Sequence, residues 1–128
     1  MTKSQYASLD AMLFGLQLMV FEILWIAFPW MQSIWIREEG DRLQLFVQTA
    51  ESQDEKEWDD LNYLLREMFD VEEKGLDEEE PGSKHKIEYS IEYGPSVPKD
   101  RGYRELMSDR LFKKLAKKYS PGRLEIGR

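Results

Sequence analysis

The chain divides into segments whose apolar residues have either helical or strand spacing. Over residues 5–28, apolar residues recur at intervals of three and four and also fill most of the remaining positions, which predicts an apolar helix. Apolar and polar residues then alternate on both sides of a polar turn at 38–41 that contains a glycine. Alternation on both sides of such a turn predicts a β-hairpin over residues 33–49.

Three more elements are predicted after the hairpin. Residues 53–70 follow a Ser-x-x-Glu capping box and carry one apolar stripe, which predicts a helix. Residues 86–93 alternate cleanly and predict a strand, and 102–119 predict a last helix with apolar residues on one side and bases on the other. Residues 72–84, rich in acids with glycine and proline, predict an acidic loop, and 120–128 a C-terminal tail.

This order of elements, α-β-β-α-β-α, predicts an α+β fold with a small antiparallel sheet, made of the hairpin and one further strand, packed by helices. The length of 128 residues suits a single domain spanning 1–128. With 41% hydrophobic residues the chain can build a core without disulfides or metal ions. It has no cysteine, which excludes disulfides, thiolate zinc sites and a cysteine nucleophile. The lack of cysteine and of a secretory signal pattern predicts a cytoplasmic protein.

The apolar first helix raises the question of a membrane. Its continuous part, Met12–Phe28, has 17 residues, whereas a transmembrane helix usually needs about 20. It also contains Glu22 and has no flanking cluster of bases. We therefore expect a core helix and keep membrane association, through this helix and the basic C-terminal helix, as an alternative. The first helix carries more apolar surface than one small sheet and two helices readily cover, so a homodimer through Met12–Met31 is kept as an open alternative to a monomer.

The net charge of −7 is distributed unevenly along the chain. Residues 38–83 hold 17 acids and 4 bases, whereas 99–128 hold 10 bases and 4 acids. The acidic middle disfavours non-specific contact with nucleic acid or anionic lipid. The bases of the last helix are expected to face water or this acidic middle. The predicted basic surface consists of Arg110, Lys113, Lys114, Lys117 and Lys118.

No motif in the chain indicates catalysis. Its one histidine, His85, lies between two lysines, and no partner for it is evident. Glycine-rich phosphate loops, nucleophile elbows and an EF-hand loop are missing, and the paired acids fall in predicted turns or on the polar side of a helix. We expect no catalytic residue, metal or cofactor. A small acidic hydrolase-like enzyme that combines a carboxylate with His85 is a further alternative.

The leading hypothesis is a non-catalytic protein-binding domain that presents an acidic surface to a basic protein partner. Inhibitors, immunity proteins, chaperones and adaptors are proteins of this type. Charge complementarity between two such proteins mainly speeds association and selects the partner. The predicted partner-binding residues are Glu38, Glu39, Asp41, Glu55, Asp59, Asp60, Asp77, Glu78, Glu79 and Glu80.

Overall fold

A computed structural model of the chain describes residues 9–40, 42–79 and 87–122. It confirms the α+β class, with three helices and a four-stranded sheet in the order α1-β1-β2-α2-β3-β4-α3. The strands are β1 (Ser33–Glu39), β2 (Arg42–Gln48), β3 (Tyr89–Gly94) and β4 (Arg104–Ser108). The helices are α1 (α-helical over Leu9–Met19 and Trp25–Ala27, with a π-helical turn over Val20–Leu24), α2 (Glu55–Glu79) and α3 (Asp109–Tyr119).

The predicted hairpin is confirmed. Strands β1 and β2 pair antiparallel, with Ile36 opposite Leu45. Gly40 lies in the turn with a φ of 63°, a left-handed conformation that glycine adopts without the steric cost of a side chain. This hairpin forms the centre of a sheet whose strand order is β3-β2-β1-β4.

The prediction of a purely antiparallel sheet is wrong, because β3 pairs with β2 in parallel. Helix α2 connects the two strands, and a helical connection of this length returns the chain to the end of the sheet where β2 began. In this register Leu45 lies opposite Ile91 and Val47 opposite Tyr93. The apolar residues of β3 therefore share the face of the sheet that packs against the helices.

The last helix begins later than predicted, and a strand precedes it. Residues 102–119 were expected to be helical, but β4 occupies five of these residues and pairs antiparallel with β1. Helix α3 starts at Asp109, after Ser108, which is extended and accepts a hydrogen bond from the N–H of Leu111 at 3.2 Å. Ser108 is thus an N-cap, and the element order gains one strand.

The predicted acidic loop over residues 72–84 is wrong for its first eight residues, since α2 continues to Glu79. Glutamate favours helix strongly enough for one glycine, Gly75, to be tolerated in the last turns. A carboxylate oxygen of Glu73 also accepts the N–H of Ile87, just before β3. Residues 80–86 and the predicted tail beyond residue 122 lie outside the described residues.

Helix α1 lies at the centre of the core, on the same face of the sheet as α2 and α3. Its π-helical turn buries Phe21 and Leu24 while Glu22 is exposed, which shows how an acid is accommodated in this apolar segment. Phe21 contacts Phe112 of α3, with ring centroids 5.0 Å apart, and α1 also packs against α2. Within the described residues, no helix is long and apolar enough to cross a membrane.

The other face of the sheet is covered by residues 95–103, which connect β3 at one edge to β4 at the opposite edge. The ring of Tyr103 packs on Phe46 at 5.9 Å, and the guanidinium of Arg37 lies 5.3 Å from the centre of the same ring. The side-chain amide of Gln48 donates to the carbonyl of Pro95 at 3.0 Å. These contacts hold the connection against the sheet.

Candidate functional site

Helix α2 is held in one orientation by its apolar side. Its first turn is capped by Asp54, whose carboxylate accepts the N–H of Glu57 at 2.9 Å. Phe69 stacks on Tyr89 of β3 with ring centroids 4.3 Å apart, and Trp58 packs on Tyr93 at 4.2 Å. With the inner side fixed at both ends of β3, the opposite side of α2 faces solvent.

Two apolar residues lie on this solvent side. Tyr63 is 64% exposed and Val71 is 56% exposed. Positions four apart share a side of a helix, so both residues align with Asp59 and Glu67. We call this side the α2 outer face and define it by Asp59, Asp60, Tyr63, Glu67, Asp70 and Val71, which are all exposed. Sequence reasoning missed Tyr63 and Val71, although both lie outside the apolar stripe predicted for this helix.

The charge of α2 is strongly negative but not all of it belongs to the outer face. The helix contains 11 acids and 3 bases. Glu57 is turned inward and accepts the indole N–H of Trp30 at 3.1 Å, and Glu73 binds the backbone near β3. The exposed bases Lys56, Arg66 and Lys74 lie on the solvent side among the acids. The number of acids in the sequence therefore overstates the negative charge that a partner would meet.

The predicted partner-binding acids form two groups. Glu55, Asp59 and Asp60 are exposed at the start of α2, beside the end of β3 where Trp58 packs on Tyr93. Glu38 and Glu39 are exposed at the hairpin end of the sheet, and Glu39 pairs with Arg37 at 3.5 Å. The helix of 25 residues separates its two ends by about 37 Å.

The remaining predicted acids fall at the second end of α2 or outside the described part of the chain. Asp77, Glu78 and Glu79 belong to the last turn of α2. Because α2 leads into β3, which starts beside the start of β2, this turn lies at the hairpin end of the sheet. Asp41 and Glu80 lie outside the described residues. The acids are thus distributed over two ends of the molecule.

Helix α3 buries its apolar side and exposes its bases. Phe112, Leu115 and Ala116 are buried in the core. An ion pair joins Arg110 to Glu105 at 3.0 Å. All five predicted bases are exposed: Arg110, Lys113, Lys114, Lys117 and Lys118. Because its apolar residues are already packed, α3 would meet a lipid surface with its charged side alone.

The acidic and basic helices lie at opposite edges of the sheet. Helix α2 packs against edge strand β3, whereas α3 directly follows and contacts edge strand β4. Helix α1 contacts both and lies between them. Within residues 9–40, 42–79 and 87–122, no ion pair joins the bases of α3 to the acids of α2. The two charged surfaces therefore remain separate in one copy of the chain.

Among the described residues, two cavities lie at the sheet, apart from an open groove along the five bases of α3. One, of about 320 Å³, lies at the hairpin end and includes Arg37, Arg101 and Arg104 in its lining. Carboxylates of Glu39 and Glu92 lie 3.5 and 3.6 Å from the guanidinium groups of Arg37 and Arg101, respectively. The second, of about 380 Å³, lies under the 95–103 connection. Since two of the three arginines have acidic neighbours in the same chain, the first cavity offers little free positive charge.

Tyr89 of β3 is half-buried against Phe69 of α2. Burial raises the pKa of Tyr89, and the nearby Asp70 adds to the increase while Arg66 opposes it, so this tyrosine stays neutral where it stacks on Phe69. Among the side chains that the structure describes, no group of three or more acids or histidines is placed to hold a metal ion. His85 lies outside the described residues.

Comparison with known proteins assigns no family to the chain. No protein-family model matches it, and no curated protein or solved structure matches it significantly. Function is therefore argued from the two exposed helix surfaces.

Proposed function

We propose that this chain is a non-catalytic protein-binding domain whose α2 outer face binds a basic protein partner. The exposed Tyr63 in the middle of this face is the observation that carries the proposal. Tyrosine is over-represented among the few interface residues that supply most of the binding energy. Carboxylates around such a residue, here Asp59, Asp60 and Glu67, select a basic partner and speed its association.

The arrangement of Tyr63 and Val71 supports a partner helix or strand over a single basic side chain. The two residues are eight positions apart, which corresponds to about 12 Å along a helix. A single exposed apolar residue is ordinary on a protein surface, but two on one line provide two points of contact. The rigid inner side of α2 means that binding requires little reordering of this helix, which lowers the entropic cost of association.

The partner type follows from the surroundings of these two residues. Acids exceed bases on the solvent side of α2, and three further acids end the helix. A partner surface with lysines or arginines around an apolar groove would match both the charge and the apolar contacts. An inhibitor, immunity protein, chaperone or adaptor binds in this manner, and the proposal makes this chain a protein of that type.

Affinity capture at two salt concentrations tests the proposal. The wild-type chain and the variant Asp59→Asn/Asp60→Asn/Glu67→Gln are compared as baits at about 50 mM and about 500 mM NaCl, which changes the screening length several-fold. We expect basic proteins to be captured by the wild type at low salt and released at high salt. The α2 variant should capture them poorly.

A second variant, Lys113→Gln/Lys114→Gln/Lys117→Gln, is the matched control, because it removes the same number of exposed charges from α3. It should capture the same proteins as the wild type. Capture that is equal for both variants, or that persists unchanged at high salt, would show that the α2 outer face is not the binding surface.

A further inference from the structure

We infer that the basic side of α3 docks on the α2 outer face of a second copy of the chain. This inference uses the same acidic face as the proposed function. The five bases of α3 fall within nine residues, all of them exposed, and the opposite side of the helix is buried in the core. This leaves a compact surface in which bases predominate, with Asp109 and Tyr119 exposed only at the two ends of the helix.

Charge complementarity identifies the occupant. Helix α3 contains five bases and one acid, whereas α2 contains 11 acids and three bases. Within one copy the two helices are held at opposite edges of the sheet with α1 between them. The net charge of −7 opposes every anionic occupant at long range, a second copy included, so the choice of occupant rests on the surface that meets α3 at contact. The acidic helix α2 of a second copy can place its carboxylates directly beside the bases of α3.

The spacing of charges on the two helices also matches. Asp60 and Glu67 are seven residues apart, as are Arg110 and Lys117, and seven residues correspond to about 10.5 Å of helix. Between the two acids lies Tyr63, whose ring can pack on the aliphatic stem and ammonium of a lysine. Lys113 occupies the equivalent middle position on α3. The two helices can therefore form two charge pairs with a tyrosine–lysine contact between them, and in one of these pairs Arg110 would be shared with Glu105 of its own chain.

This contact joins two different surfaces, so a pair of copies retains a free α2 surface on one copy and a free α3 surface on the other. Such heterologous association extends into larger assemblies unless its rotation closes a ring. It differs from the alternative homodimer through Met12–Met31, where Phe14 and Ile23 of α1 are exposed. An apolar contact of that kind is not weakened by salt, whereas the α2–α3 contact is.

Sedimentation velocity of charge-reversed variants tests the inference. The variants are Asp60→Lys/Glu67→Lys on α2 and Lys113→Glu/Lys117→Glu on α3, each compared with the wild type at about 50 mM and about 500 mM NaCl. We expect the wild type to associate at low salt and to sediment at the monomer mass of 15.2 kDa at high salt. Each variant alone should remain monomeric.

An equal mixture of the two variants should associate again, because the basic α3 of one meets the acidic α2 of the other. Variants that associate alone, a mixture that stays monomeric, or wild-type association that survives high salt would overturn the inference. Binding of phosphatidylserine-containing vesicles or duplex RNA by the wild type and not by Lys113→Glu/Lys117→Glu would also overturn it, since phosphate would then be the ligand of α3.

Partner capture separates this inference from the proposed function. The α3 variant should lose self-association and still capture the basic partner. If it captures the partner while the variant mixture fails to associate, only the self-association is wrong. If the mixture associates while no basic partner is captured, only the proposed function is wrong.

Discussion

Helices α2 and α3 share a plan and differ in charge. Each begins at a side-chain cap, Asp54 for α2 and Ser108 for α3, and each buries one apolar side against the sheet and α1. The outer side of α2 combines acids with an exposed tyrosine and valine, while that of α3 is mainly basic, with Asp109 and Tyr119 exposed at its two ends. The apolar packing of the fold uses the inner sides, so the proposed difference in binding between the two helices rests on their outer sides.

The two helices also use their charges differently. Part of the acidic charge of α2 serves the fold, since Glu57 binds the Trp30 indole and Glu73 binds the backbone at Ile87. In helix α3, Arg110 forms an ion pair with Glu105, and the ammonium of Lys118 lies 5.1 Å from the centre of the Tyr119 ring. Of the two, α3 therefore has the larger share of its charge available to another molecule.

The largest expected effect comes from removing the apolar anchor of either helix. Phe69→Ala in α2 and Phe112→Ala in α3 should each lower the free energy of unfolding by about 3–5 kcal/mol, because a large buried ring leaves a cavity. Urea unfolding measures this, with Tyr119→Ala as an exposed control expected to change stability by less than about 0.5 kcal/mol. A Phe112→Ala variant as stable as the control would mean that α3 is undocked, and the membrane alternative would regain support.

The next largest effect is expected on partner binding, and it distinguishes the outer side of α2 from that of α3. Tyr63→Ala should weaken binding of the captured partner about tenfold or more, as hot-spot tyrosines do, while leaving the free energy of unfolding nearly unchanged. Tyr119→Ala on α3 is the matched control and should leave partner binding intact. Calorimetric titration gives both affinities. Equal affinities for the two variants would remove Tyr63 from the binding surface.

The sequence largely predicted which residues of these helices are buried. It did not predict the residues at which the elements begin and end. Apolar spacing identified the stripe of α2, and the alternation of the hairpin identified β1 and β2. Strand β4 was missed because its five residues contain no clean alternation and the helical spacing of 107–119 overlaps it. The pairing of β3 depends on where α2 returns the chain, which local patterns do not encode.

A smaller effect tests whether the caps are equivalent. Asp54→Ala and Ser108→Ala should each cost about 1 kcal/mol, because each leaves a helix N–H without its side-chain acceptor. Urea unfolding of both variants would show this, with Ser52→Ala as a control that precedes the cap. A cost for Asp54→Ala alone would mean that α3 begins elsewhere than after Ser108.

The smallest expected effect has opposite signs in the two helices. Acids at a helix C-terminus oppose the helix dipole and bases favour it, by about 0.3–1 kcal/mol each at low salt. Asp77→Asn/Glu78→Gln should therefore stabilise the protein and Lys117→Gln/Lys118→Gln should destabilise it. Thermal unfolding at low and high salt gives the sign of the stability change in each variant and shows whether salt removes the change. The same sign in both helices would contradict the dipole explanation.

The candidate site was predictable in composition but not in arrangement. The sequence indicated which residues are acidic or basic, and the structure exposes the bases of α3 as expected. The sequence alone could not show that Glu38 and Glu55 lie at different ends of the sheet, because their positions follow from the order of the strands. Tyr63 was overlooked because a tyrosine off the apolar stripe has no pattern of its own.

Mapping the bound partner on the chain tests the central claim most directly. The ¹⁵N-labelled Lys113→Glu/Lys117→Glu variant, which should not self-associate, is titrated with the captured basic partner, and amide chemical shifts are followed at low salt. We predict that the shifts concentrate on residues 59–71 of α2 and that residues 110–118 of α3 remain unchanged. Shifts confined to α3 or to the 95–103 connection would contradict binding at the α2 outer face.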